Sequence, residues 1–348
     1  MKQDPYELMS SKENNKSPCL FTLIDEKRAT WEMTGTCNLG CKHCCIDASS
    51  KKDKTDLTID KAKAVNEEMS EENVRAIYIS GGEPLMWKET PEYIKNAKRS
   101  GIKHISLATN GVYVNSESAR ILKDSGVDKV LISLDSHRED VHDDFRGVKG
   151  VYKSAVNAIE QLSKQDVFVR IGTVIWSENV DELEELTSAM YSMGANEIAF
   201  SWLMKSGRAV EHPEIFVPKE RYFEVGNRLS KLKNTWKQKL LISYHRFNPI
   251  DDSFIDCQGG ARFLHINPEG HLSPCSWITK LAPQYISENT IFFRSLSSLM
   301  EDEHLKNFRS VVANREARYG PGCPAVCLIE NGSLNTKDPL YHGNKSEI

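Results

Sequence analysis

A parallel α/β sheet curved into a partial (β/α)6 barrel, followed by a small irregular C-terminal cluster-binding domain, is the fold this sequence predicts. Three observations predict it. Between about Ala29 and Met204, six strand-like segments alternate strictly with helix-like ones. Right-handed crossovers between such units give parallel strands covered by helices. The motifs that carry chemistry all follow strands, on the rim where such folds bind ligands.

The elements are justified in order. "ATWEMTG" is the first strand. Thr58 is an N-cap, and Ile59, Ala62, Val65 and Met69 share one face of the helix it starts. "RAIYISG" reads as a buried strand. Thr90-Pro91 opens the next helix, with Thr90 at the N-cap and proline in the first turn, and Gly101 ends it. "KHISLATNG" is the third strand, and a helix from about Ser116 to Ser125 stops at Gly126. "KVLISLD" is the fourth strand. A helix from Val151 aligns Ala155, Ile159 and Leu162. "VFVRIGTVIW" is the fifth strand. Leu183, Leu186, Met190 and Met193 mark a helix that stops at Gly194, and "NEIAFSWLM" is the sixth strand. "KSGRAVEHPEIFVP" then reads as a linker. The domains expected are an N-terminal extension (1–28), a barrel (29–217), a helical linker (218–250), an auxiliary domain (251–330) and a disordered polar tail (331–348).

The chain has 348 residues, 39% hydrophobic and 27% charged, with a net charge of −4. This composition fits a folded globular protein and gives no reason to expect a nucleic-acid partner. No apolar run approaches a membrane span, and the N-terminus lacks a signal-peptide core, so a cytoplasmic location and no membrane partner are expected. Reduced cytosolic thiols make cysteine clusters metal ligands or catalysts, and nine cysteines fit a complete disulfide framework poorly.

Four of those nine fall in "TGTCNLGCKHCC", Thr34–Cys45. Cys37, Cys41 and Cys44 have the spacing C-x3-C-x2-C. A disulfide knot, a zinc site and an iron–sulfur cluster compete at this point. Structural zinc takes four ligands, commonly in C-x2-C pairs. Three thiolates on one loop can instead hold three irons of a cubane and leave the fourth iron open.

"CNLGCKHC" resembles the cluster loop of the radical S-adenosylmethionine (SAM) enzymes, and "GGEP" at Gly81–Pro84 resembles their SAM-amino motif. The resemblance spans about residues 29–204. It implies a [4Fe–4S] cluster with an open iron on Cys37, Cys41 and Cys44, and SAM as cofactor. It also implies reductive cleavage of SAM to a 5′-deoxyadenosyl radical that abstracts hydrogen from substrate. Gly81 and Gly82 would allow close backbone approach, and Glu83 would accept from the SAM ammonium. Asn110 and Ser133 would contact the ribose or carboxylate, and Arg146 would pair with the carboxylate as a planar fork. Asp135 would serve SAM or satisfy its loop. Arg170, in the fifth strand, would need an anionic partner if buried, either SAM or substrate. Cys45 is either a hydrogen-atom donor or a small buried thiol. Cys19 has no partner in the sequence.

Cys257, Cys275, Cys323 and Cys327 supply the four thiolates of a fully ligated cluster or a structural zinc. "HINPEGHLSPC" places a turn at Asn267–Gly270 between two short strands. The cysteine, turn glycine and x4-Cys arrangement resembles the SPASM or twitch domains of radical SAM enzymes. Its length implies one auxiliary [4Fe–4S] cluster, an electron acceptor for a substrate radical.

The function expected is a radical SAM oxidoreductase or maturase that oxidises or crosslinks a peptide in natural-product or antibiotic biosynthesis. Oxidation of a small metabolite such as an aminocyclitol or sugar is an alternative. So are a radical epimerase with a cysteine hydrogen donor and a non-catalytic metal scaffold. A flavodoxin or ferredoxin is the expected electron donor. The 28 residues ahead of the barrel are too few for a winged-helix leader-binding domain, so a peptide would need direct recognition or a separate recognition protein.

Overall fold

The structure, a computed structural model, describes residues 26–50, 57–244, 257–320 and 322–339. Six parallel strands form its centre: β1 (Lys27–Glu32), β2 (Val74–Ser80), β3 (His104–Thr109), β4 (Lys129–Ser133), β5 (Phe168–Ile175) and β6 (Glu197–Trp202). Each pairs with the next in sequence, so the order follows the chain, as short right-handed crossovers require. The crossovers carry α1 (Ile59–Glu71), α2 (Thr90–Arg99), α3 (Ser116–Ser125), α4 (Glu139–Arg146), α5 (Val151–Lys164) and α6 (Leu183–Ser192). The main core lies between these helices and the sheet, and Trp31, Ile77, Ile105, Val130, Ile171 and Ile198 run through it.

Local signals explain most helix limits. Thr58 caps α1, its hydroxyl accepting from Lys61 N–H at 3.3 Å. Gly126 ends α3 in the left-handed region, with φ 88°. Thr90 differs from expectation: it is the first residue of α2, and its hydroxyl donates to the Pro84 carbonyl at 2.7 Å. The preceding turn offers a buried acceptor, which outcompetes the capping role. The helix α4 follows "SLD" without an apolar repeat to announce it, and it delivers Arg146 to the rim.

The sheet is larger than six strands. After α7 (Tyr222–Trp236), β7 (Leu241–Tyr244) adds in parallel to β6. The segment 218–250 is therefore more than a helical linker; its residues 245–250 lie outside the described ones. On the other edge, β8 (Phe263–Ile266) runs parallel to β1, and β9 (Leu272–Ser273) returns antiparallel across the Asn267–Gly270 turn. Among the described residues no strand joins β7 to β9, so the barrel stays partial.

Three short helices, α8 (Ser276–Leu281), α9 (Leu296–Met300) and α11 (Pro324–Asn331), and the longer α10 (Glu303–Tyr319) follow. Ile278, Phe308, Val312 and Val326 give this region its own apolar core. The expected disordered tail is ordered through residue 339. Asp338 is buried and accepts from Cys323 N–H at 2.7 Å, and that bond ties the segment to the start of α11.

Candidate active site

The cysteine loop leaves β1 and is closed by a bridge between Thr36 and Ser49. Cys37 and Cys41 are buried, and Cys44 is half-buried. Backbone N–H groups already point at the sulfurs: Leu39 at Cys37 Sγ (3.5 Å) and Ala48 at Cys44 Sγ (3.3 Å). Burial pushes Cys37 up to about 11, against the Leu39 bond, and raises Cys41. Bare thiolates are thus unfavourable here without a cation to neutralise them. Among the described residues no three His, Cys, Asp or Glu side chains converge tightly enough for one metal ion, whereas a cubane takes one thiolate per iron. The donor set fits the cluster.

Two backbone segments fix this loop. Gly82 N–H donates to the Thr34 carbonyl (2.6 Å) and Glu83 N–H to that of Thr36 (2.9 Å). A Cβ on Gly82 would collide with the Thr36 carbonyl, and Gly81 has φ 130°, so both positions need glycine. On the opposite side, Arg208 donates to the carbonyls of Cys41 (3.0 Å) and Ala48 (2.9 Å). Its own N–H donates to the Cys44 carbonyl. Arg208 lies in the segment expected to be a linker. That segment folds back after β6 as a clamp, and no local pattern signals it.

The expected cofactor residues gather on one cavity of about 410 Å3. Its wall includes Cys37, Cys41, Cys44, Gly81, Gly82 and Asn110, and further round Cys45, Ser133, Arg146 and Arg170. Glu83 is an exception. It is fully buried, does not line the cavity, and its carboxylate accepts from Thr109 Oγ1 (2.7 Å), Asn110 N–H (2.8 Å) and Leu85 N–H (3.0 Å). Its side chain locks the β2 and β3 ends together, where the expectation was a contact with the SAM ammonium. Burial pushes it up to about 7, with those three bonds acting the other way.

Two arginines also find partners within the fold. Arg146, expected to grip a ligand carboxylate, holds Asp135 instead: Nε at 2.7 Å and Nη2 at 2.5 Å from Oδ2. Only its Nη1 edge remains, directed at Cys41 Sγ at 3.9 Å. Asp135 in turn accepts from Val174 N–H. Arg170 meets Glu197 at 3.4 Å and donates to Ser243 Oγ at 3.2 Å. Glu197 also pairs with Lys129 at 2.7 Å. The anion for Arg170 is thus the protein's own, supplied by β6 beside it. Cys45 lines the cavity, and burial pushes its thiol up to about 12. Cys19 lies outside the described residues.

Three cysteines of the second group, drawn from distant segments, share one apolar core. Cys257, Cys275 and Cys323 pack in the C-terminal apolar core. Cys275 is the N-cap of α8, Cys323 that of α11, and Cys327 is buried one turn further along α11. The cavity wall beside β8 includes Phe263 and Ser276, so one opening runs from the first cysteine loop to the neighbour of Cys275. Near it, sequence reasoning missed a buried pair: Glu32 Oε1 lies 3.1 Å from His265 Nε2.

A parallel half-barrel with a three-cysteine loop on its ligand-binding rim defines an iron–sulfur enzyme. Residues 31–190 match the model of the Radical SAM superfamily. The AdoMet-dependent heme synthase of Methanosarcina barkeri is 26% identical over 348 residues, covering 90% of this chain and 96% of its own. The antilisterial bacteriocin subtilosin biosynthesis protein AlbA of Bacillus subtilis is 27% identical over 279 residues, 78% of this chain and 58% of its own. Streptococcus suis SuiB bound to S-adenosylmethionine has a similar fold, with TM-score 0.75 at 14% identity, covering 91% of this chain and 77% of that one. This chain is a radical SAM enzyme, with a [4Fe–4S] cluster and SAM as cofactors. The non-catalytic scaffold alternative is therefore set aside. Among the described residues no helix is long and apolar enough to cross a membrane.

Proposed function

We propose that this enzyme oxidises or crosslinks a peptide in natural-product maturation. Cys37, Cys41 and Cys44 hold the open-iron cluster, and Cys257, Cys275, Cys323 and Cys327 the auxiliary one. The observation that carries this reading is the shared cavity, with the first loop on one wall and Ser276, next to Cys275, on another. A substrate there would lie between a hydrogen-abstracting centre and an electron acceptor. When bound, the open-iron cluster and SAM supply the radical that removes a substrate hydrogen atom. The chain's residues bind and shield. Gly81 and Gly82 offer backbone at the rim, Asn110 and Ser133 offer polar contacts to SAM, and the free edge of Arg146 faces the Cys41 side. Arg170 shapes the cavity floor. A flavodoxin or ferredoxin supplies electrons, and a separate recognition protein or direct binding selects the peptide. The residues from 257 to 339 form the twitch-like unit in this reading.

A tetrapyrrole substrate is the second reading, favoured by the near full-length match to a heme synthase. The cavity's charges favour the peptide. Arg146 and Arg170 are neutralised by Asp135 and Glu197, and Arg208 is spent on backbone carbonyls, so little is left to hold several ligand carboxylates. The test is anaerobic turnover with SAM and dithionite, offering peptides encoded near the gene and, separately, an iron porphyrin. Loss of two hydrogens from a peptide supports the proposal. Gain of one deuterium in heavy water without other mass change would instead support an epimerase, with Cys45 or Cys19 as its candidate hydrogen donor. Turnover of the porphyrin alone overturns the peptide reading.

A further inference from the structure

Arg315 lies on α10, far in sequence from the rim motifs, and is fully buried. One nitrogen is accounted for: Nη1 donates to the Gly320 carbonyl at 3.1 Å. Nε and Nη2 are buried and meet no hydrogen-bond acceptor among the described residues. An always-charged guanidinium is costly to bury with donors unmet, and carbonyls alone do not neutralise it. Its surroundings indicate what it serves. Nη2 sits so close to Gly322, the residue before Cys323, that a Cβ there would collide with it. Asp338 crowds the same glycine and accepts from Cys323 N–H. Cys323 caps α11, and Cys327 is buried one turn further along the same helix.

We infer that Arg315 directs its unsatisfied donors at the sulfurs of the auxiliary cluster on the Cys323–Cys327 side, making that cluster easier to reduce. The inference rests on the auxiliary-cluster assignment proposed above. Hydrogen bonds to cluster sulfurs and nearby positive charge both stabilise the reduced, more negative state. Arg315 is thus a positioning and potential-setting residue. It would tune the acceptor to take an electron from a substrate radical, and Asp338 on the other side of Gly322 would limit the effect.

The experiment uses the full-length protein, reconstituted anaerobically in a Cys37→Ala/Cys41→Ala/Cys44→Ala background so that only the auxiliary cluster remains. Potentiometric titration followed by electron paramagnetic resonance reads its midpoint. Arg315→Gln should shift the oxidised-to-reduced ratio at fixed potential about tenfold toward oxidised, equivalent to about 59 mV for one electron. Arg315→Lys, which keeps the charge and loses the fork, should shift it less. An unchanged midpoint in Arg315→Gln with iron content intact overturns the inference. If that variant does not fold, the Cys-substituted background protein labelled with 15N-arginine decides. A 15N coupling to the reduced cluster supports the contact, and its absence overturns it. Failure of the underlying assignment looks different: the triple-alanine background would then bind no iron, or zinc alone.

Discussion

Arg208 spans the cysteine loop, Nε on the Cys41 carbonyl at 3.0 Å and Nη1 on the Ala48 carbonyl at 2.9 Å, and so ties residues on either side of Cys44 to the segment after β6. The loop has no regular secondary structure of its own, so these bonds set its shape. Arg208→Ala should cost about 1–3 kcal/mol of local stability, the range for leaving buried acceptors unmet. Iron at Cys37, Cys41 and Cys44 should then be lost to a chelator several-fold faster than in the parent. Equal release rates would show that the clamp does not matter.

Gly82 should tolerate no side chain. Its would-be Cβ overlaps the Thr36 carbonyl, one residue before Cys37. Backbone cannot move aside as a flexible side chain can, so Gly82→Ala should abolish SAM-dependent change in the cluster spectrum. Gly40→Ala, where a Cβ meets nothing within 4 Å, is the control and should leave that spectrum unaltered.

Iron content separates the two cysteine groups. The reconstituted parent should hold about eight irons, two cubanes of four. Replacing Cys37, Cys41 and Cys44 by alanine should leave about four and remove all cleavage of SAM. Replacing Cys257, Cys275, Cys323 and Cys327 should also leave about four, yet preserve cleavage of SAM while stopping substrate oxidation. Iron counts that do not fall in either set would remove the two-cluster assignment.

Glu83 carries a pH signature. Its folded value is raised to about 7 by burial, above the ordinary carboxylate range. The folded state therefore holds its proton more tightly than the unfolded chain. That contribution is fully present below about pH 4.5 and is lost as pH rises through about 7, a change of about 3 kcal/mol. Urea unfolding of the metal-free protein at pH 5 and pH 8 measures it. Glu83→Gln should lack this part of the pH slope, and an identical slope in both proteins would refute the assignment.

Glu197 serves two cations, Arg170 and Lys129, on adjoining strands. Removing it strands both in the barrel interior. Glu197→Gln should thus cost about 3–5 kcal/mol, and Arg170→Met less, because Lys129 still neutralises the remaining carboxylate. The double variant should be less destabilised than the two single losses combined. Additivity in chemical denaturation would mean the pair is not coupled.

The six central strands and five of their helices could be read directly because each rests on local information. Ala155, Ile159 and Leu162 face one way on any helix, and Gly126 suits a left-handed terminus whatever surrounds it. The cluster loop and "GGEP" were equally legible, since cysteine spacing and glycine pairs act over a few residues. The helix α4 was missed because five of its eight residues are charged and a single apolar pair, Val141 and Phe145, is too short a pattern to mark a helix. Strands β7 and β8, only four residues each, have too little sequence to mark them as members of the main sheet.

By itself the sequence determined the parallel half-barrel, the radical SAM cysteine loop and the presence of a second thiol group, because periodicity, turn chemistry and ligand spacing are properties of neighbouring residues. Tertiary structure decided which charges are already spent. Asp135 took Arg146, Glu197 took Arg170, Thr109 and Asn110 took Glu83, and a supposed linker brought Arg208 back to Cys41. Those partners are contributed by other elements of the fold. A buried charge selects whichever opposite group the packing places beside it, and no local pattern contains that choice.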